Sequence, residues 1–125
     1  MLKIKGLSEK EKKAIEEVKN RLVKKYGDLL LLLKLFGSKA RGDSHTDSDI
    51  DLLAVVERDS LKIRDKFFEE IYNVMSKYDF KFLICLAVIG KREFETYKNG
   101  NFSFYRNVTK EGIDLWSKTK KSKHT

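Results

Sequence analysis

The sequence contains no proline, a single cysteine and no long hydrophobic run. A lone Cys85 excludes an internal disulfide and argues against a cysteine-based zinc site. No apolar run approaches the roughly 18 residues that a membrane-spanning helix needs. The opening residues, MLKIKGLSEKEKKAIEE, become charged too early for a signal peptide. We therefore expect a cytoplasmic protein that does not associate with a membrane.

Positive charge exceeds negative charge: the 125 residues carry a formal net charge of +8. This length is typical of one domain. The last nine residues, SKTKKSKHT, contain four lysines and no apolar side chain. We predict one domain over residues 1–116 and a basic, disordered tail over 117–125. The tail is either a solubilising end or a weak handle for RNA or an acidic partner, so nucleic acid stays an open but less favoured partner.

Hydrophobic periodicity predicts the order helix, strand, strand, helix, strand, then short helices. Ser8 and Glu11 form a capping box at the start of the first helix, and Ser60 caps the second long helix. The predicted helices cover 9–26, 61–78 and 91–100, and the predicted strands cover 28–36, 49–56 and 80–90. A last helical turn ends at Gly112. The fold class is therefore α/β (α+β), a small mixed sheet flanked by helices.

Residues 36–56, FGSKARGDSHTDSDIDLLAVV, join the first two predicted strands. Gly37 has no Cβ, so an anion can approach the backbone closely, and the Ser38 hydroxyl can donate a hydrogen bond to it. Phosphate is the natural occupant of such a turn. On its own the Gly-Ser pair is a weak signal, because most such pairs are ordinary turns.

Asp49 and Asp51 are two residues apart on a predicted strand, so they lie on one face about 6.6 Å apart. Two carboxylates suit Mg²⁺, which takes one or two of them together with substrate phosphates. The alternative is that Asp49 caps or ends a strand and that Asp51 is an edge residue that faces water. Asp51, however, lies in an apolar run where an unpaired carboxylate is costly to bury, and a cation would remove that cost. Turn and carboxylates together indicate a nucleoside-triphosphate site.

The segments GSKARG, 37–42, and SDIDL, 48–52, resemble the motif of the DNA polymerase beta-like nucleotidyltransferase superfamily, in particular its minimal nucleotidyltransferase (MNT) branch. The resemblance implies the polymerase beta-like fold and transfer of a nucleoside monophosphate with loss of pyrophosphate, with ATP as the expected substrate and Mg²⁺ as the cofactor. It implies that Ser38 contacts the β- and γ-phosphates and that Arg41 neutralises or shapes the site. The implied nucleotide-binding residues are Gly37, Ser38, Arg41 and Ser48, and the implied catalytic and metal-binding residues are Asp49 and Asp51.

The pattern departs from the family at the third carboxylate, which active members use as a general base and further metal ligand. Alignment places Cys85 there, and a thiol is a poor Mg²⁺ ligand. Besides a less favoured function as an RNA-binding accessory that uses the basic tail, two functions remain open. One is nucleotidyl transfer to a protein partner, as the antitoxin of a HEPN/MNT toxin–antitoxin pair. The other is a catalytically weak or inactive nucleotide-binding interaction protein.

Three further alternatives stay open in the sequence. Arg41 can pair on the surface with Asp43 or Asp47 instead of serving the site. The protein partner can be a second copy of the chain rather than a HEPN-type protein. Cys85 and the aromatic residues near the end can complete the core, or some of the aromatic residues can be exposed for association. These aromatic residues are Phe102, Phe104, Tyr105 and Trp116.

Overall fold

The computed structural model describes residues 6–42 and 49–118. The helices of this part cover Glu9–Tyr26 (α1), Gly37–Arg41 (α2), Leu61–Lys77 (α3), Lys91–Asn99 (α4) and Ser103–Glu111 (α5). The strands cover Leu30–Phe36 (β1), Ile50–Val56 (β2), Ile84–Gly90 (β3) and Ile113–Ser117 (β4). None of these helices is long and apolar enough to cross a membrane.

The four strands form one mixed sheet in the order β3-β2-β1-β4. Strand β1 lies in the middle and pairs antiparallel with both β2 and β4. Strands β2 and β3 are parallel, and α3 connects them. The predicted mixed sheet with flanking helices is confirmed.

The sheet separates two hydrophobic layers. The larger core lies between the sheet and helices α1 and α3, and includes Val18, Leu22 and Phe67. The smaller core lies on the other face, under α4 and α5, and includes Leu53 and Val108. Successive residues of β2 alternate between these layers, as a strand buried on both faces requires.

The predicted order of the elements is confirmed up to α5 except for the short helix α2, which lies between the first two strands, and the strand starts are shifted by one to four residues. Both predicted caps are present, since Ser8 and Glu11 form the capping box and the Ser60 side chain accepts from the Ile63 N–H. Strand β4 was missed. It is only five residues long and is recognisable chiefly by its pairing with β1, which is not a local property of the sequence.

Strand β4 extends into the segment that the sequence predicts to be a disordered tail. Ser117, placed in the predicted tail, is the last residue of β4. Lys118 follows it and donates a backbone hydrogen bond to the Leu31 carbonyl at 3.0 Å. The rest of the predicted tail, 119–125, lies outside the described residues.

Of the two alternatives for the aromatic residues near the chain end, packing against the cores holds for most of them. Phe104 packs against the smaller core, and Trp116 packs against the larger one. Tyr105 is partly buried and lies against Phe94, with ring centroids 5.5 Å apart. Of the four aromatic residues considered for association, Phe102 alone is exposed, at 47%.

A buried carboxylate, Glu70 on α3, joins the two long helices. Only 3% of Glu70 is exposed. Its carboxylate accepts hydrogen bonds from Arg21 at 3.1 Å and from Lys25 at 2.8 Å, both on α1. Burial raises the pKa of Glu70, but the hydrogen bonds from Lys25 and Arg21 more than offset this effect and hold the pKa below its ordinary value.

We expect Glu70→Gln to lower the free energy of unfolding at pH 7 by about 1–2 kcal/mol, because the charged hydrogen bonds to two partly exposed cations are lost. The lowered pKa means that this contribution is complete above the ordinary glutamate pKa of 4.5 and disappears as pH falls through the folded-state value. Denaturant unfolding at pH 7 and pH 3 measures both effects. The exposed neighbour Glu69, changed to Gln, is the matched control, and an equal effect at the two positions would contradict the account.

Candidate functional site

The Gly37-Ser38 turn directly follows the end of β1 and provides the first two residues of the short helix α2. Gly37 has a φ of +77°, in the left-handed region that favours glycine. A Cβ on Gly37 would lie 2.5 Å from the Asp51 Oδ2 atom, closer than van der Waals contact allows. Phe36, the last residue of β1, is the antiparallel partner of Asp51. The glycine therefore permits both the backbone conformation and the close approach of the turn to this carboxylate.

Asp51 is the second residue of β2 and faces the α4/α5 side of the sheet, as Leu53 does. Its pKa is raised, first by burial and then by the negative charge of Asp49. Asp49 is exposed and comes immediately before the strand. The two negative charges therefore lie close together at the N-terminal end of β2. Their repulsion and the burial of Asp51 disfavour its ionised form when no cation is bound.

Cys85 lies beside both aspartates. It is the parallel-strand partner of Asp51 across β2 and β3, and its Sγ lies 3.6 Å from the Asp49 Oδ2 atom. The residue is exposed, so the alternative that it belongs to the core is wrong. The alignment that put Cys85 at the position of the third carboxylate is consistent with this geometry.

The Cys85 thiol is uncharged at pH 7, so it cannot replace a carboxylate as a general base or metal ligand. Partial burial of the sulfur raises its pKa, and the charge of Asp49, its hydrogen bond to Asp49 and the charge of Asp51 raise it further. A thiol with a raised pKa is neutral at pH 7, so it neither accepts a proton readily nor binds a hard cation.

Arg41, the last residue of α2, is exposed and reaches the end of α5. Its Nη1 lies 3.3 Å from the Glu111 Oε1 atom. The ion pair connects the turn region to α5, and it is a partner that the sequence did not indicate. The predicted features that lie outside the described part of the structure are Ser48, the side chain of Ser38, and the alternative Arg41 partners Asp43 and Asp47.

Lys39, inside the predicted phosphate-binding segment, was not recognised as important from the sequence. Its side chain is fully buried, and its Nζ lies 2.8 Å from the Glu11 Oε2 atom. A lysine in a polar, glycine-containing loop predicts an exposed side chain, so the loop itself holds no clue to this contact. The one sequence feature that bears on this contact is Glu11, because the capping box fixes its carboxylate near the start of α1.

The capacity of the site for a metal rests on Asp49 and Asp51. Within residues 6–42 and 49–118, no group of three or more histidine, cysteine or acidic side chains is arranged to hold a metal ion. Two carboxylates suffice for Mg²⁺ when substrate phosphates complete its coordination. The raised pKa of Asp51 supports this fit, because a cation between the carboxylates would offset the charge that burial disfavours.

Sequence comparisons with known proteins match this chain to nucleotidyltransferase domains. A family model described as a nucleotidyltransferase domain matches residues 15–115. Two proteins of Methanocaldococcus jannaschii, both assigned as protein adenylyltransferases, are 37% identical over 106 residues and 33% identical over 103 residues. The first alignment covers 85% of this chain and 98% of the relative, and the second covers 81% and 94%.

Solved structures show the same fold. A toxin–antitoxin structure with AMP-PNP matches with a TM-score of 0.57 at 21% identity, over 87% of this chain and 78% of that chain. A Sulfolobus solfataricus protein assigned as a nucleotidyltransferase matches with a TM-score of 0.50 at 22% identity, over 86% and 81%. At these identities the likeness concerns the fold.

Proposed function

Because the chain belongs to the nucleotidyltransferase domain family, we propose that it binds ATP with Mg²⁺ and transfers the AMP group to a protein partner. Gly37, the backbone of the Gly37-Ser38 turn and Arg41 bind the triphosphate. Asp49 and Asp51 bind the metal and carry the reaction. The proposed site is the N-terminal end of β2 on the α4/α5 side of the sheet.

The close packing of Gly37 against Asp51 is the observation that carries this proposal. A turn that serves only to reverse the chain does not require its backbone to lie so close to a carboxylate. At Gly37 the distance is too short for any side chain, because a Cβ would collide with Asp51. A turn that presents backbone N–H groups to a phosphate next to a metal-binding carboxylate needs both features. The fixed separation of turn and carboxylate would bring phosphate oxygens and Mg²⁺ together.

The choice of ATP and of a protein acceptor is supported by the relatives. The two M. jannaschii proteins are assigned as protein adenylyltransferases, and they align over nearly their whole length. The toxin–antitoxin structure of similar fold contains AMP-PNP, an ATP analogue. The partner that we favour is a HEPN-type toxin, with this chain as its antitoxin.

In the proposed reaction an acceptor hydroxyl oxygen forms a bond to the α-phosphorus of ATP. The bond from that phosphorus to the oxygen that bridges to the β-phosphate breaks, and pyrophosphate leaves. When bound, Mg²⁺ supplies charge neutralisation at the phosphates. Because no third carboxylate stands beside Asp49 and Asp51 in the described residues, the hydroxyl proton passes to water. Loss of a general base typically costs a factor of about 10²–10⁴, so transfer should be slow.

Cys85 specifically favours a second candidate function. A neutral thiol beside Asp49 leaves the proposed nucleotide-binding turn and the two metal ligands intact but withholds the base. A protein of this kind can bind a nucleotide and neutralise its partner by occlusion alone. The two functions differ in one outcome, covalent transfer of AMP.

Incubation with ATP labelled at the α-phosphate, Mg²⁺ and an extract of the source cells distinguishes them. The first function predicts a labelled protein that appears with Mg²⁺ and is absent with EDTA. Label at the γ-phosphate must not be transferred, because pyrophosphate leaves. Nucleotide binding without any labelled protein would favour the occlusion function, and neither binding nor label would contradict the proposed site.

We expect Gly37→Ala to weaken Mg²⁺-dependent ATP binding by at least about tenfold, since the turn must move away from Asp51. The measurement is calorimetric titration with ATP in the presence of Mg²⁺. Gly90→Ala is the control, because Gly90 has a negative φ and lies at the far end of β3, where its Cβ would contact Asp59 at 3.3 Å. Equal affinities of the two variants would show that the turn is not the phosphate-binding element.

A further inference from the structure

A buried ion pair stands directly behind the proposed phosphate-binding turn. Lys39 follows Ser38 in α2, and its side chain has no exposed surface. The Glu11 side chain, its partner on α1, is only 7% exposed, and the Nζ to Oε2 distance is 2.8 Å. The pair connects α1 and α2 through two residues that are 28 positions apart in the sequence.

The Glu11 carboxylate is itself held in place by the start of α1. Its Oε1 accepts the Ser8 N–H at 2.9 Å, while the Glu11 N–H donates to the Ser8 Oγ at 3.1 Å. One oxygen of Glu11 thus completes the capping box and the other receives Lys39. Because the cap fixes the carboxylate, the lysine is tied to a defined point on a long helix.

Stability alone does not explain this pair. Burying two charges costs free energy that their attraction often only balances, and apolar side chains of similar volume are frequently as stabilising. The pair is placed one residue after the turn whose distance from Asp51 the proposed function depends on. We infer that Glu11 and Lys39 are positioning residues that hold the Gly37-Ser38 turn in its nucleotide-binding geometry, an inference that rests on the proposed function.

Two variants separate positioning from stability. Lys39→Met leaves the Glu11 carboxylate buried without this lysine, so both the melting temperature and the affinity for Mg²⁺–ATP should fall, the affinity by about tenfold. The double variant Glu11→Gln/Lys39→Met removes both charges, and glutamine still completes a capping box. Its melting temperature should recover towards that of the wild type, whereas the dissociation constant for Mg²⁺–ATP should stay about tenfold raised.

Lys34→Met is the matched control. Lys34 is also a buried lysine paired with a carboxylate, its Nζ 2.6 Å from the Asp114 Oδ1 atom, but Asp114 is mostly exposed and the pair joins β1 to β4. This variant should lower the melting temperature and leave the dissociation constant for Mg²⁺–ATP unchanged. Its behaviour shows whether loss of the ion pair of any buried lysine is enough to weaken nucleotide binding.

The outcomes are distinguishable. Recovery of affinity together with melting temperature in the double variant would show a purely structural pair and overturn the inference. Wild-type affinity in Lys39→Met would overturn it too, with the proposed function intact. A wild-type protein that binds no Mg²⁺–ATP would overturn the proposed function, and the inference with it.

Discussion

Replacing Asp51 with asparagine should reduce AMP transfer by at least about 10²-fold, because a metal-binding carboxylate contributes several kcal/mol of transition-state stabilisation. The same change should leave the protein without nucleotide as stable as the wild type or more stable. Burial and the charge of Asp49 raise the pKa of Asp51, so its ionised form opposes folding above that pKa. Asparagine keeps the shape and removes this charge.

The two effects are measured separately, as label transferred from α-labelled ATP and as melting temperature without metal or nucleotide. Asp65→Asn on the exposed face of α3 is the control and should change neither. A variant that loses activity and gains stability identifies a residue that serves the function and lowers the stability of the fold. Unchanged transfer by Asp51→Asn would show that Asp51 has no part in the reaction, and a lower melting temperature would show that its charge supports the fold.

Replacing Cys85 with aspartate should increase transfer by about 10²-fold or more, because it restores the group that active members of the family use as a base. The position is suitable: the Cys85 sulfur already lies 3.6 Å from the Asp49 Oδ2 atom and its residue is the strand partner of Asp51. Without metal, a third carboxylate adds repulsion, so the variant should melt below the wild type. With Mg²⁺ and ATP its melting temperature should rise more than that of the wild type, since ligand binding stabilises the folded state.

Cys85→Asn is the matched control, with the size of aspartate and no charge. It should show neither the lower melting temperature nor the larger response to Mg²⁺. If the aspartate and asparagine variants transfer AMP equally slowly, the missing carboxylate is not what limits the reaction. An equal response of melting temperature to Mg²⁺ in both variants would place position 85 outside the metal site.

The parts of the fold that the sequence predicted are those with local causes. The capping box of Ser8 and Glu11 and the cap at Ser60 are short-range contacts, and both are present. The side of β2 on which Asp51 lies follows from strand alternation. Membership of the nucleotidyltransferase family, indicated by the 37–42 and 48–52 segments, is confirmed by the family model.

The features that the sequence did not predict depend on contacts between distant elements. Strand β4 exists as an edge strand because β1 offers it a free side. The burial of Lys39 depends on the position of α1, whose Glu11 is 28 residues away in the sequence. Cys85 is exposed because its side chain points to the open end of the sheet beside Asp49 rather than into either core, although it lies in an apolar run.

The central claim is that the Gly37-Ser38 turn and the Asp49–Asp51 pair form a metal-dependent nucleotide site. Calorimetric titration of ATP into the wild type and into the Asp49→Ala/Asp51→Ala double variant, each with Mg²⁺ and with EDTA, tests it most directly. We expect the wild type to bind ATP more tightly with Mg²⁺ than with EDTA, and the double variant to show no gain from Mg²⁺. Equal binding by the two proteins in the presence of Mg²⁺ would contradict the site.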